Sequence, residues 1–223
     1  METLGKFIVF EGIDGSGKST QAKLLIEKLE KAGHKTAFIH FPKYNTKSGG
    51  LVEEYLSGKY GEANEVGPYQ ASIFYSCDRF DSSFQIREWL KEGKIVVCDR
   101  YIGSNIGHQG GKMKTKEERK AYIDWLCDLE YRIFNIPKPD ITFMLKVSSE
   151  LGQKLSNKLA KEENHKPDIH ERDLNHLTNT ERAYQEWIGY SPEDFEVIEC
   201  VKDSLLPPEE ISKKIWEAVK KYL

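Results

Sequence analysis

One stretch of the chain decides its fold: Gly12-Ile13-Asp14-Gly15-Ser16-Gly17-Lys18-Ser19, followed by Thr20. It matches the pattern G-x-x-x-x-G-K-[ST], in which a glycine-rich turn joins a strand to a helix. Apolar residues fill positions 7–10 and recur at helical spacing over 21–31, so both flanking elements are predicted. Backbone N–H groups of such a turn surround phosphate oxygens. Residues 12–20 are therefore predicted to bind a nucleoside triphosphate, with Lys18 on its β- and γ-phosphates; the alternative is a turn without a ligand.

A magnesium site is predicted next to this turn. The apolar run 95–98 ends in Asp99, which indicates a buried strand with a carboxylate at its C-terminal end. In P-loop proteins an acid in this place holds Mg²⁺ together with the hydroxyl that follows the lysine. Ser19 and Asp99 are thus the candidate metal ligands. A capping or salt-bridging carboxylate is the alternative for Asp99.

Further apolar segments predict strands at 36–41, 95–99, 141–145 and 195–200. Amphipathic segments predict helices at 51–56, 68–92, 117–134, 149–163 and 173–188, and a last helix from residue 207, whereas 102–114 is predicted to be irregular. Strands alternating with helices indicate an α/β fold, a five-stranded parallel sheet flanked by helices, in a single P-loop domain. Four residues of the 117–134 helix are predicted to face the core: Trp125, Leu126, Leu129 and Ile133.

The composition narrows the class of protein. The 223 residues carry a net charge of −3, whereas a surface that coats nucleic acid is expected to be strongly basic. No apolar run reaches the length of a membrane span. The cysteines form no C-x-x-C pair, which is typical of reduced core thiols. We therefore expect a cytoplasmic protein with neither a nucleic acid nor a membrane as its partner.

Two arginines add a second phosphate site to the prediction. Ligands of an open parallel sheet lie beyond the C-terminal strand ends, and Arg100 directly follows Asp99 at that edge. Arg79 lies on the predicted 68–92 helix, one turn after Tyr75. A planar guanidinium grips a phosphate with two N–H groups, and an aromatic ring beside it can stack on a base. Surface salt bridges and simple core packing are the alternatives.

Four patches of the sequence resemble the thymidylate kinases, the nucleoside monophosphate kinases that convert dTMP to dTDP. Residues 10–21 are similar to the family's phosphate loop, including its acid at Asp14. The segment Phe41-Pro42-Lys43 is similar to a Phe-Pro-basic turn, and Tyr75-x-x-x-Arg79 to an aromatic-x-x-x-Arg helix. The most specific patch is Asp99-Arg100-Tyr101-x-x-Ser104-Asn105-x-x-His108-Gln109-Gly110. The resemblance covers nearly the whole chain.

The resemblance implies transfer of the γ-phosphate of ATP to dTMP, with Mg²⁺ as cofactor and with Lys18, Arg100 and Asp14 as catalytic residues. Asp14 is expected to contact the acceptor's sugar hydroxyl and to order an arginine. Lys43, Arg79 and Arg100 are expected to hold the acceptor phosphate. The other implied acceptor contacts are Phe41, Tyr75 stacked on thymine, Ser104 and Asn105 near the base edge, and His108 where an aromatic residue more often covers the deoxyribose. Family members are commonly homodimers through the helix that carries Arg79.

The resemblance also implies a lid at 150–167 within the same domain. Some family members carry an arginine at the position of Gly15, and others supply cations from a mobile lid. Gly15 and Ser16 place this chain in the second group. The expected lid cations are Lys154, Lys158, Lys161 and Lys166; a solvated lysine face is the alternative. The stretch 168–171 resembles the family's acidic segment.

Two other functions fit part of the pattern. A deoxynucleoside kinase has an uncharged acceptor, such as the 5′-hydroxyl of thymidine, and needs a carboxylate base. Glu11, near the end of the first strand, is the candidate for that base. A nucleotide-dependent switch or binding protein would bind ATP without any acceptor. The two arginines favour a charged acceptor over both alternatives.

Overall fold

The computed structural model describes residues 4–62, 65–162, 174–202 and 204–223. Its centre is one sheet of parallel strands: β1 (Lys6–Glu11), β2 (Thr36–His40), β3 (Ile95–Asp99), β4 (Ile141–Lys146) and β5 (Phe195–Glu199). The strand order is β2-β3-β1-β4-β5, so the predicted five-stranded α/β fold is confirmed. Strand β1 pairs with β3 on one side and β4 on the other, and ligands bind where strand order reverses in such sheets.

Helices cover both faces of the sheet. Within the described ranges they are α1 (Lys18–Lys31), α2 (Gly50–Leu56), α3 (Pro68–Lys91), α4 (Ile102–His108), α5 (Lys116–Cys127), α6 (Ser149–Glu162), α7 (Leu174–Tyr190) and α8 (Pro208–Val219). Proline begins both α3 and α8, at a position where a helix does not need the missing N–H. None of these helices is long and apolar enough to cross a membrane.

Alternation along β1 builds two core layers. Ile8 and Phe10 lie on one face of the sheet, where they pack with residues of α1 and α8. Phe7 and Val9 lie on the other face with residues of α3, α4 and α5. Since successive side chains of a strand point to opposite faces, a strand covered on both sides must be apolar throughout. The sheet is thus a fixed support for the polar residues that follow its strands.

The stretch 102–114 is not irregular, and this prediction was wrong. It forms α4 and then a 3-10 turn at Gly110–Lys112. Its glycines permit close helix packing: a Cβ atom on Gly107 would lie 2.7 Å from the ring of Tyr184 in α7. A glycine-rich sequence is typical of a loop, but here the missing side chains bring α4 against α7.

The segment 117–134 is not one regular helix either. Helix α5 ends at Cys127, and the π-helical segment Asp128–Ile133 follows it. This wider turn changes which side chains face inward. Glu130 is fully buried, whereas Ile133, predicted to face the core, is 56% exposed. π-helical turns are frequent at functional sites, and this one brings Glu130 to Arg79.

Candidate active site

The phosphate loop connects β1 to α1 and depends on glycine for its shape. Gly12, Gly15 and Gly17 have φ angles of 144°, 76° and 87°, which side chains other than glycine rarely adopt. Gly17 immediately precedes Lys18, the first residue of α1. The loop therefore turns directly into the N-terminal end of a helix, where unpaired N–H groups favour an anion.

Lys18 is buried inside this loop. Its Nζ atom donates hydrogen bonds to the carbonyl oxygens of Gly12 (2.9 Å) and Ile13 (2.8 Å). Burial, reinforced by the nearby charge of Arg100, lowers the pKa of Lys18 to about 8. A cation held among carbonyl dipoles at the loop is placed to gain from a phosphate, since the phosphate charge would offset the cost of burying the ammonium.

Helix α6 packs directly on the phosphate loop through a pair of glycines. A Cβ atom on Gly15 would lie 2.3 Å from the carbonyl oxygen of Gly152, and a Cβ atom on Gly152 would lie 2.7 Å from that of Asp14. A side chain at position 15 therefore has no room. This steric contact explains why position 15 of the loop is a glycine.

The residues predicted to hold magnesium lie together. The Ser19 hydroxyl donates a 2.5 Å hydrogen bond to Oδ2 of Asp99. The other carboxylate oxygen, Oδ1, is buried and has no hydrogen-bond partner among the residues that the structure describes. Such an atom is costly to bury unless something binds it. A hydroxyl and a carboxylate fit Mg²⁺, which takes few protein ligands and completes its shell with water and phosphate oxygens.

A cavity of about 170 Å³ opens beside the phosphate loop. Every predicted acceptor residue except Lys43 contributes to its wall. The lining consists of Asp14, Phe41, Pro42, Tyr44, Leu56, Tyr75, Arg79, Arg100, Tyr101, Ser104, Asn105, His108 and Gln109. Asp14 belongs both to this wall and to the phosphate loop, so the two predicted nucleotide sites meet at one carboxylate.

Arg100 and Asp14 form an ion pair at this meeting point. Nη2 of Arg100 donates to Oδ1 of Asp14, and Nη1 donates to the Ser104 hydroxyl at 3.4 Å. Burial acts to raise the pKa of Asp14, but the Arg100 charge opposes it and the pKa falls well below its usual range. Burial likewise acts to lower the pKa of Arg100, while Asp14 raises it above its ordinary value. Both groups therefore stay charged at neutral pH.

His108 lies on the other side of Asp14. Its Nε2 atom is 3.7 Å from Oδ2 of Asp14, and its Nδ1 atom is 3.2 Å from Nε2 of His176 in α7. Burial lowers the pKa of His108 to about 3, so the ring is neutral at physiological pH. The neutral ring offers hydrogen bonds and no net charge to whatever occupies the cavity.

Arg79 is already paired. It is 1% exposed, and Nε and Nη2 donate to the two carboxylate oxygens of Glu130 at 2.7 and 2.5 Å. Its remaining Nη1 atom lies 3.3 Å from the carbonyl oxygen of Tyr101. Because Glu130 matches its charge and all three guanidinium nitrogens already donate to protein oxygens, Arg79 adds little net charge to the cavity wall. Nothing in the sequence alone indicated this partner, because the π-helical turn that delivers Glu130 has no simple pattern.

Gln109 is a wall residue that sequence reasoning did not select. Its Oε1 atom is buried and finds no hydrogen-bond partner within the described ranges of the chain, and the same holds for Nδ2 of Asn105, one helical turn earlier. Both side chains are at most 2% exposed. The spacing of four residues between them was the available signal, since it puts both amides on one helix face.

The remaining predicted cations lie elsewhere. The backbone N–H of Lys43 donates to Oδ2 of Asp78 at 2.8 Å, and Lys43 is not among the residues lining the cavity. Lys154, Lys158 and Lys161 are exposed on α6. Lys166 and the acidic stretch 168–171 lie outside the described residues. The predicted lid at 150–167 is thus described only as far as α6 extends.

The sheet order, the glycine-shaped loop before α1 and the buried lysine define a P-loop NTPase fold. Comparison with known proteins narrows the class further. The family model described as "Thymidylate kinase" matches residues 10–215 of the chain. The chain belongs to the thymidylate kinase family.

Individual relatives agree with this membership. The thymidylate kinase of Plasmodium falciparum (isolate 3D7) is 33% identical over 69% of this chain and 67% of its own length. That of Homo sapiens is 32% identical over 64% of this chain and 61% of its own length. That of Exiguobacterium sp. is 31% identical over 91% and 92%. A solved structure of the Candida albicans thymidylate kinase superposes with a TM-score of 0.74 at 25% identity, covering 98% of this chain and 92% of that one.

Proposed function

We propose that this enzyme transfers the γ-phosphate of ATP to dTMP, giving dTDP and ADP. The observation that carries the proposal is the double position of Asp14, which belongs to the phosphate loop and also lines the adjoining cavity. A donor whose phosphates occupy the loop and an acceptor in the cavity would meet next to the Asp14–Arg100 pair. The kinase activity accords with membership of the thymidylate kinase family.

The charge around the acceptor position supports a phosphate rather than a hydroxyl as the attacking group. Arg100 keeps its charge and has a planar group that can hold a phosphate at two points. A phosphate oxygen is ionised at neutral pH, so it can attack the γ-phosphorus without a general base. Catalysis then consists of positioning the two nucleotides and neutralising charge, roles proposed for Lys18 and Arg100.

The amides of Asn105 and Gln109 support a base with an acceptor next to an N–H donor. The unpartnered Nδ2 atom of Asn105 is a donor and the unpartnered Oε1 atom of Gln109 is an acceptor. Thymine presents carbonyl oxygens on both sides of its N3–H group, so it carries an acceptor suited to the Asn105 amide nitrogen and a donor suited to the Gln109 amide oxygen. Cytosine has no hydrogen on N3 and would leave Oε1 of Gln109 facing another acceptor, at a cost of about 1–3 kcal/mol. Tyr75 supplies an aromatic surface on the same cavity.

Mg²⁺ is the proposed cofactor, held by Ser19 and by Asp99 directly or through water. When bound, it would neutralise charge on the donor phosphates. The lid lysines keep their proposed role as further cations above the loop. The four free cysteines support a reducing, cytoplasmic location.

We also propose a homodimer that forms through α3. Ile73, Phe80 and Phe84 of α3 are 38%, 39% and 58% exposed, and their spacing of seven and four residues puts them on one helix face. Phe134 extends this apolar surface, with its ring 5.0 Å from that of Phe80. An exposed apolar stripe of this kind is typical of a protein interface.

Acceptor choice tests the proposed function. ADP formation from ATP is measured with dTMP, dUMP, dCMP, GMP, thymidine or no acceptor. We expect dTMP to raise ADP formation far above the rate without acceptor, and dCMP to be turned over about 10- to 100-fold less efficiently. Equal turnover with and without any acceptor would refute a kinase, and activity confined to thymidine would favour the deoxynucleoside kinase.

A further inference from the structure

Glu11 is a buried carboxylate at the end of β1 that receives four hydrogen bonds. Its Oε1 atom accepts the backbone N–H groups of Tyr101 (2.7 Å) and Ser104 (3.0 Å). Its Oε2 atom accepts the hydroxyls of Ser104 (2.8 Å) and Tyr184 (3.2 Å). A carboxylate has about four lone-pair positions, so the hydrogen-bonding capacity of Glu11 is fully used.

This arrangement does not suit a general base. Glu11 is 0% exposed and does not line the acceptor cavity. A base must lie within hydrogen-bond reach of the proton that it removes, and the groups that reach Glu11 belong to the protein itself. Glu11, which the sequence suggested as a base for a hydroxyl acceptor, therefore stabilises the backbone around the cavity instead.

The backbone next to Glu11 has an unusual shape at Arg100. Arg100 has a φ angle of 67°, a left-handed conformation that costs a residue with a side chain roughly 1–2 kcal/mol. Two consecutive N–H groups hold this turn against the end of β1. The N–H of Arg100 donates to the carbonyl oxygen of Phe10 at 2.9 Å, and the N–H of Tyr101 donates to Glu11. Strain of this kind persists where surrounding contacts fix it.

The same carboxylate fixes the start of α4. Tyr101 precedes the helix and provides no side-chain cap of its own, so the first N–H groups of α4 need another acceptor. Glu11 takes this role for Ser104 through both its N–H and its hydroxyl. Helix α4 carries Asn105 and His108 into the cavity wall, so the position of that wall depends on the contact.

We propose that Glu11 is a positioning residue for the acceptor site: its carboxylate fixes the backbone from Arg100 to Ser104 and thereby aims the Arg100 guanidinium at Asp14 and the acceptor phosphate. The inference rests on the proposed role of Arg100 in dTMP binding. Glu11 touches no reacting atom and acts through Arg100 and α4.

Two substitutions separate positioning from the other roles. In Glu11→Gln the amide oxygen can still accept both N–H groups, and the amide nitrogen can donate to the two hydroxyl oxygens. We expect kcat/KM for dTMP to stay within about threefold of wild type, because the hydrogen bonds persist. Glu11→Ala frees both N–H groups, and we expect kcat/KM for dTMP to fall about 100-fold through misplacement of Arg100. The KM for ATP should change less than about threefold in both variants, since the phosphate loop is unaltered.

Tyr184→Phe is the matched control. It removes one hydroxyl donor to Glu11 and leaves both N–H contacts in place, so kcat/KM for dTMP should stay within about threefold of wild type. If Glu11→Ala does not fold, Glu11→Asp replaces it. Aspartate keeps the charge but is one methylene too short to reach both N–H groups, and we expect a loss of about tenfold in kcat/KM for dTMP.

The outcomes discriminate between roles. A loss in Glu11→Gln as large as in Glu11→Ala would overturn positioning in favour of a general base. If Glu11→Ala, or Glu11→Asp in its place, keeps the wild-type kcat/KM per folded molecule, the positioning role of Glu11 is also overturned. Glu11 would then only stabilise the fold. If Arg100→Ala itself keeps wild-type kcat/KM for dTMP, the proposed role of Arg100 fails. If Arg100→Ala is impaired but neither shortened variant is, the inference about Glu11 alone fails.

Discussion

Arg79 and Glu130 form a two-point ion pair that solvent does not reach: the side chains are 1% and 0% exposed. Removal of one partner leaves a buried charge without its counterion. We therefore expect Glu130→Gln to lower the free energy of unfolding by about 3–5 kcal/mol. Urea denaturation followed by circular dichroism measures this change.

The double variant Arg79→Met with Glu130→Leu is the control for this pair. It replaces both charges with apolar groups of similar size, which is often neutral for stability. We expect its unfolding free energy to lie closer to wild type than that of Glu130→Gln. A loss below about 1 kcal/mol in Glu130→Gln would show that the pair is not sealed from water.

ATP affinity should depend on pH through Lys18. Its pKa is about 8 in the free protein, and donor phosphates favour the charged form. Binding should therefore take up a proton above pH 8, and the affinity should fall as pH rises, by up to about tenfold per pH unit. Below pH 7 the group is already charged in the free protein and contributes no dependence. Calorimetric titration from about pH 7 to pH 9.5 covers the relevant range.

Binding of dTMP is the internal control for this pH effect. The acceptor site relies on Arg100, whose pKa is raised above its ordinary value, so its charge does not change in this range. The dTMP dissociation constant should stay nearly constant while that of ATP rises. An ATP dissociation constant that is also flat across the range would contradict the position of Lys18.

The glycine contact between α6 and the phosphate loop predicts a local effect on ATP. In Gly152→Ala the new methyl group would lie 2.6 Å from Cδ1 of Ile13, so the loop or the helix must move. We expect the KM for ATP to rise about tenfold. Gly189 lies in α7, where no atom of the described residues comes within 4 Å of an added Cβ. Gly189→Ala should raise stability by about 0.5–1 kcal/mol without a change in KM. Equal KM values in the two variants would contradict the contact.

The proposed dimer predicts that charge on α3 separates the subunits. Phe84 is 58% exposed, the most exposed residue of the apolar stripe, and a carboxylate there would be desolvated in an interface. Phe84→Glu should therefore sediment as a monomer at concentrations where wild type is a dimer. Leu51→Glu, on α2 and 45% exposed, should leave the dimer intact. A wild-type monomer in analytical ultracentrifugation would refute this proposal.

Much of the fold could be predicted, because its main elements leave local sequence patterns that have a direct physical cause. The phosphate loop has a fixed spacing, and fully buried parallel strands such as β3 leave a continuous apolar run, so both were predictable. The prediction that 102–114 is irregular was wrong because glycine is typical both of loops and of close contacts between helices, and the glycines of α4 belong to the second kind. Ile133 was misplaced because a π-helical turn shifts the helical period at Asp128, and no periodic pattern indicates such a turn.

The sequence predicted individual residues of the site but not which residues form ion pairs or hydrogen bonds with them. The sequence placed Arg79 and Arg100 in the same role. Their partners differ: Asp14 joins Arg100 at the phosphate loop, whereas Glu130 neutralises Arg79 in the core. Such pairs form between residues far apart in the sequence, and the spacing of residues along the chain does not predict these contacts. The same holds for Glu11, whose four hydrogen-bond donors come from the turn after β3, from α4 and from α7 and meet only once the chain has folded.

We propose that Arg100, anchored on Asp14, grips the acceptor phosphate. The value of kcat/KM for dTMP in Arg100→Ala, measured at saturating ATP and Mg²⁺, tests this role. Arg132→Ala is the control, because Arg132 is 71% exposed and pairs with Asp128 of its own helical segment. We expect Arg100→Ala to lose about 100- to 1,000-fold with little change in the KM for ATP, and Arg132→Ala to match wild type. Wild-type kcat/KM for dTMP in Arg100→Ala would refute this role of Arg100.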